Sequence, residues 1–341
     1  MANGARLPIH SASFIAISKD RLAVSLSTEL KGPSGLGVHI NPFDLHLYND
    51  ETGGFHPFIS VPVPAQTIRG QTEIDIERTI ASVKNHTELV KWLTKAVHQK
   101  TTNVNFRAKT TAHIGAIKAP IKINKTTSLH GLDRLSGVEL SSMDLIDAKE
   151  NDGNNFQGIL MLPNCSPLSL GLGNLTLDTW AGDVLIGNAT VINVHLKPGN
   201  NTIPFIGQVF LDSVMMNALG IIASQKSSLD KGFLELGISV NSTTANGESV
   251  TYLQDVLNDV KFTAQLHEHE VLRGLASSLI GPNKTVALSG MISELSGGLN
   301  PAMIMEFMGI NITAWQVALE DALRGNTKPG TLSELFEGFA G

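Results

Sequence analysis

A single cysteine, Cys165, stands in 341 residues, so no internal disulfide can form and the fold must rest on buried apolar area. Aromatic residues are scarce at 5%, and the 25 Lys and Arg are outnumbered by 31 Asp and Glu. That balance leaves no broad basic footprint for a phosphate backbone and argues against nucleic-acid binding. There is no apolar run of the roughly 18 residues that a membrane-spanning helix needs; the best segments, 214–223 and 271–280, are short and interrupted. The opening Met1-Ala2-Asn3-Gly4-Ala5-Arg6, followed by His10, Ser11 and Ser13, lacks the apolar core of a secretory signal. Also missing are the phosphate loop, the dinucleotide fingerprint, the serine elbow and the zinc helix. These absences exclude the commonest enzyme signatures and predict no catalytic residue, cofactor site or metal site. With 42% apolar residues, the chain still has ample material for a core, and its length suggests two or three domains.

What is present is alternation. Leu22, Val24, Leu26, Thr28 and Leu30 share one strand face, and Phe43, Leu45 and Leu47 share another after Asn41-Pro42. Further strand signals lie at Ile74/Ile76, Val104/Phe106/Ala108 and Ile121/Ile123. Between the first two of these, Leu89, Trp92, Leu93, Ala96 and Val97 recur at helical spacing, with Asn85 and Glu88 as a capping pair, and Trp92 reads as a core anchor.

The second half repeats this order. Leu168, Leu170, Leu172, Leu175 and Leu177 alternate with one extra residue at Gly173-Asn174, which predicts a bulge. Val184/Ile186 and Val191/Val194/Leu196 extend the sheet, Gly199–Ile203 matches Gly70–Ile74, a helix is expected over Ser213–Ser224 after Asp212, and Leu234, Leu236, Ile238 and Val240 return to strand period. The expected fold is therefore mainly β: tandem antiparallel β-sandwich, immunoglobulin-like modules with one helix each and a partly helical tail. The expected boundaries are 1–131, 132–266 and a C-terminal extension or incomplete third module at 267–341. In that tail, Trp315, Ala318, Leu319, Ala322 and Leu323 predict a helix capped by Thr313 and Gln316 and stopped by Gly325 and Pro329, with a last turn opened by Thr331 and Glu334.

Nine glycosylation acceptors, Asn85, Asn124, Asn164, Asn174, Asn188, Asn200, Asn241, Asn283 and Asn311, exceed the roughly four that 24 Asn would give by chance. They predict lumenal exposure, with the targeting helix expected upstream of the given residues; unused acceptors would instead mean the cytoplasm. His267-Glu268-His269-Glu270 puts two imidazoles on one strand face, too few for a metal site. Cys165 lies inside an acceptor triplet with no cation beside it and reads as an inert thiol. Gly171-Leu172-Gly173 reads as bulged strand and not as a phosphate cradle.

The pattern Asn41-Pro42-Phe43-Asp44-Leu45-His46-Leu47, followed by a Gly-led strand into a helix and repeated through Ala181-Gly182-Asp183-Val184 and Leu196-Lys197-Pro198-Gly199-Asn200, resembles tandem domains of the late-embryogenesis-abundant group 2 type. It is similar to the fungal domain of unknown function 3712 family, which includes large vacuolar-membrane members linked to autophagy termination. The resemblance runs from about Leu7 to Leu266 and implies glycoprotein modules facing the vacuole lumen, associated with the membrane, with no catalytic residues to carry over. The expected function is a non-enzymatic lumenal scaffold that meets a protein partner or a membrane surface. The alternative is a lipid-binding or lipid-transfer module that uses the apolar space between sheet and helix, for which the leucine-rich second half and Met215/Met216 are the support.

Overall fold

The computed structural model describes residues 9–31, 35–49, 53–146, 148–258, 260–273 and 312–337. The first half contains β1 (Ile9–Ser18), β2 (Arg21–Lys31), β3 (Val38–Ile40), β4 (Phe43–Tyr48), β5 (Pro57–Val63), β6 (Gln66–Ile68), β7 (Gln71–Ser82), α1 (His86–His98), β8 (Thr101–Ile114) and β9 (Ile117–His130). The second half contains β10 (Glu139–Leu145), β11 (Phe156–Asn164), β12 (Leu168–Ala181), β13 (Val184–Leu196), β14 (Gly199–Val209), α2 (Leu211–Met216), α3 (Ala218–Leu229), β15 (Phe233–Ala245), β16 (Glu248–Ser249), α4 (Thr251–Leu257) and β17 (Lys261–His267). Two helices follow in the tail, α5 (Ile312–Leu323) and α6 (Thr331–Glu337).

Strand pairing in one half is reproduced in the other. In the first, β1 pairs with β2 and β2 with β7, while β4 lies between β5 and β8 and β8 pairs along its length with β9. In the second, β10 pairs with β11 and β11 with β14, while β12 lies between β13 and β15 and β15 pairs with β17. The halves differ in closure. Ladders β13–β14 and β10–β17 join the second half's two sheets into a barrel-like ring, whereas in the first half, among the described residues, the β5 side meets the end of β7 through the bridge Ile59–Val83 and the Lys84 N–H to Phe58 O bond and no longer ladder. The chain is mainly β as expected, but the expectation of tandem immunoglobulin-like sandwiches is corrected for the second half, where β10 reaches across to β17 and closes the sheet.

In the first half, β1 uses that same outer edge differently. It runs parallel to the start of β12, pairing Ala12–Ile15 with Leu168–Gly171, while the rest of β12, from Asn174 to Trp180, pairs with β15. Two glycines allow the change of partner. A Cβ on Gly171 would lie 2.6 Å from Ile15 Cγ2, and one on Gly173 would lie 2.2 Å from the Thr244 carbonyl oxygen. Gly173 also has φ +76° and marks the bulge that the sequence predicts.

The helices complete the contact between halves. Asn85 caps α1 by accepting from the Glu88 amide at 3.1 Å, as the spacing predicts. Its apolar face buries Trp92 between Phe14 and Phe58, at ring-centroid distances of 5.0 and 5.4 Å, and the indole donates to Asn103 O. The helix α4, inserted where the first half has only the Gly115-Ala116 turn, packs against α1 and places the Val256 carbonyl 3.3 Å from His98 Nε2. The linker is structured: Gly131, Leu132 and Asp133 donate to Lys100 O, Ala96 O and Gln99 O, closing the end of α1. The buried side chains consequently form one continuous cluster from Ala12 to Leu266.

Two helix expectations are revised. The stretch expected as one helix over Ser213–Ser224 is α2 and α3 divided at Asn217, whose backbone φ −112°, ψ 11° leaves the helical region and whose side-chain amide donates to Ser213 O at 2.8 Å beside its own backbone N–H; with α4, the second half has more than the single helix expected. Helix α5 begins at Ile312, so Thr313 lies inside it and does not cap it. Leu319, Ala322 and Leu332 of α5 and α6 bury against Leu229 of α3 and Leu272, so the described part of the tail covers the second half.

Replacing Gly173 by Ala should cost about 3 kcal/mol or more, since the side chain meets both a positive φ and a carbonyl oxygen. Gly220→Ala in α3, where a Cβ meets nothing within 4 Å, should be neutral or stabilise by up to about 1 kcal/mol. Denaturant titration checks the pair, and equal stabilities for the two variants would contradict the partner switch at Gly173.

Candidate functional site

The barrel-like ring of the second half encloses an apolar cavity of about 60 Å³. Its wall is set by two reciprocal cross-strand pairs, Phe156 opposite Gly207 and Gly158 opposite Phe205. A Cβ on Gly158 would fall 2.6 Å from the Phe205 ring and one on Gly207 2.7 Å from the Phe156 ring. Each ring therefore lies against glycine backbone, and the two rings meet edge to face at 5.5 Å. Leu177, Ile186, Met143 and Val209 are among the other lining residues. The space exceeds what one water needs, but Thr179 is the one polar side chain in its wall, fewer partners than a buried water requires, so it should stay dry. It is smaller than the roughly 300–1,000 Å³ of ordinary ligand pockets.

The alternation of Leu177 and Ile186 with their strand neighbours was legible in the sequence; the pairing of Phe with Gly was not, because it depends on register.

Buried polar groups elsewhere are few. Burial first, then the positive charges of Lys197 and Arg78, lowers the pKa of His195, so the fold favours its neutral imidazole. Burial also pushes the Tyr252 phenol up, and its hydroxyl finds no partner among the described residues.

His267 and His269 are exposed with ring centroids 5.6 Å apart, and no group of three or more metal-ligating side chains gathers among the described residues. Between them, Glu268 is 2% exposed and accepts from the Thr331 and Leu332 amides at 3.4 and 3.1 Å, which gives it a structural role at the start of α6. That role depends on a residue more than sixty positions away and left no trace in the local sequence. Cys165 is exposed and unpaired by any disulfide.

The acceptor asparagines fall into distinct environments. Asn124, Asn200 and Asn241 are exposed on β9, β14 and β15, and Asn85, Asn174 and Asn188 are half-buried. Tyr48 donates to Asn124 Oδ1 at 2.9 Å, Asn241 donates to the Asp178 carboxylate at 2.9 and 3.2 Å, and Asn174 accepts from the Asn193 amide at 2.9 Å. Asn283 and Asn311 lie outside the described residues. Asn164 corrects the expectation: it is 1% exposed, donates to Leu168 O and Leu196 O at 2.8 and 3.4 Å, and accepts from the Ser166 amide at 2.8 Å. A glycan on this nitrogen is incompatible with the folded arrangement, because the amide organises the turn that leads into β12.

Asn164→Ala should destabilise by about 3 kcal/mol by stranding those buried groups, while Asn200→Ala should stay within about 0.5 kcal/mol. Thermal unfolding of both variants checks this. Peptide mapping that found a glycan on Asn164 in the folded protein would refute the assignment.

Comparison with known proteins gives a family match over part of the chain. No curated protein matches significantly. Among solved structures, similarity extends to a protein from Archaeoglobus fulgidus at 10% identity, covering 36% of this chain and 97% of that one with a TM-score of 0.24. A protein from Arabidopsis thaliana known from a solution structure matches at 14% identity, covering 36% and 82% with a TM-score of 0.23. The Pseudomonas aeruginosa CupB2 chaperone matches at 7% identity, covering 76% and 99% with a TM-score of 0.15. At such scores none of the three bears on fold or function. Residues 56–179, from just before β5 into β12, match the family model described as "Protein of unknown function (DUF3712)".

Proposed function

We propose that this chain is a non-enzymatic interaction scaffold of the lumenal side of the fungal vacuole or secretory pathway, connected with autophagy regulation, in which two copies of one β module of the late-embryogenesis-abundant group 2 type, the second closed into a ring, act as a single rigid body. The observation that carries the rigid-body reading is the sharing of β12 by β1 and β15, which fixes the exposed faces of one copy relative to the other. The repeated pairing pattern supports descent from one module, and the exposed acceptors Asn124, Asn200 and Asn241 support the compartment. Scanning calorimetry tests the scaffold: one cooperative transition is expected for the full chain, and two resolved transitions would remove the rigid body. Glycosidase treatment and mass spectrometry of the protein from its native host test the compartment, with at least one of the three exposed acceptors expected to be occupied.

The apolar cavity favours a second reading as a lipid-binding or lipid-transfer module. An acyl chain would have to widen the ring, and the β10–β17 ladder, with Glu139–Gln265 and Leu140–Leu266 as its pairs, is the shortest seam. Native mass spectrometry should then show stoichiometric lipid; purification without any bound lipid counts against it.

A further inference from the structure

The sheet built from β3, β4, β5, β6, β8 and β9 is charged unlike the rest of the chain. Its strands carry Arg107, Lys109, Lys118, Lys122 and Lys125 and a single acidic residue, Asp44, in a protein whose net charge is -6. Lys118 stands opposite His113 and Lys122 opposite Lys109 across the β8–β9 ladder. All three lysines are exposed, and none forms an ion pair among the described residues. Opposed like charges are unfavourable on a sheet, and an external anion would relieve the repulsion.

The end of this sheet is apolar. The β8–β9 hairpin turns at Gly115-Ala116, with Ile114 and Ile117 as its last pair. These side chains are 38% and 71% exposed. Strand β3 runs antiparallel to β8, with His39 opposite His113, so the chain leading into it arrives at the same end and brings Leu36, 52% exposed. Arg69 reaches this end too: its Nε lies 3.3 Å from where a Gly37 Cβ would be. A Cβ on Gly35 or on Gly115 would meet nothing within 4 Å, so there is open space beside both turns. Carboxylates of Glu29 and Glu73 belong to β2 and β7, in the other sheet.

We infer that the tip formed by Leu36, Ile114 and Ile117, with Arg69 and Lys118 as its nearest cations and Lys109 and Lys122 further along the sheet, docks the protein peripherally onto an anionic lipid bilayer. Aliphatic side chains at the end of a sheet with cations set behind them match the water–headgroup boundary, where the apolar atoms enter and the charges meet phosphates. A second copy joining by strand addition fits less well, because the outer edge of β9 carries Pro120 and lysines, the residues that block edge pairing. A protein partner would usually find a broader face with aromatic anchors. This inference names the partner of the scaffold reading and rests on it, but its test is separate from calorimetry and glycan mapping, so either can fail alone.

The experiment is flotation of the full chain with phosphatidylcholine vesicles prepared with and without phosphatidylserine. Binding is expected only with phosphatidylserine and should weaken as salt rises. Lys118→Gln should lower the affinity about fivefold, and Lys122→Gln, further from the tip, by less. Ile117→Ser should lower it about tenfold, and Lys261→Gln, on β17, should leave it unchanged; circular dichroism verifies that each variant is folded. The inference is overturned if the folded chain ignores anionic vesicles at low salt, binds both compositions equally, binds heparin but not vesicles, or binds with the same affinity after Ile117→Ser.

Discussion

The architecture depends on the divided edge of β12. Its first four paired residues hold β1 of the preceding half in a parallel ladder, and its later residues hold β15 in an antiparallel one. A strand normally offers one edge to one neighbour; here a bulge at Gly173 turns the chain between the two partners. The side-chain-free surfaces of Gly171 and Gly173 let Ile15 and the Thr244 carbonyl approach from the same side. The linker and α4 then consolidate what the ladder sets, since Gly131 and Leu132 close the end of α1 while α4 packs against it.

This junction explains why the two halves close differently. In the second half, the outer edge of β10 finds β17 and completes a ring. In the first, the corresponding strand β1 has that edge occupied by β12, so β9 keeps an open outer edge and the β3–β9 sheet remains a free-standing face. The ring gains a protected interior with a small dry cavity, and the open half gains an accessible surface. The open edge carries charge and proline, the residues that discourage pairing of an exposed strand with another chain. Burial is shared across the junction, and no gap in the apolar cluster separates the halves.

Much of the strand content was legible because half-buried strands impose a two-residue period on apolar side chains. The same local logic gave α1 its cap at Asn85, the bulge at Gly173-Asn174 and the final turn at Thr331. Local logic failed at Asn217, whose backbone leaves the helical region for one residue and divides an otherwise continuous helical period. It failed again at Asn164, where an acceptor triplet reads as surface chemistry but the amide is consumed inside a turn. The cavity was illegible for a different reason. Phe156, Gly158, Phe205 and Gly207 are unremarkable as single positions and become a site only through the alignment of β11 with β14.

The sequence by itself determined that the chain builds mostly strands, in an order that occurs twice, without covalent staples, because period, turn chemistry and composition act within a few residues. Tertiary structure alone decided which edges pair. It sent β1 to β12 and β10 to β17, seated Glu268 under α6, and gathered Leu36, Ile114 and Ile117 at one tip. Those outcomes depend on hydrogen-bond register and steric fit between segments far apart in the chain, and neither quantity is encoded at any single position.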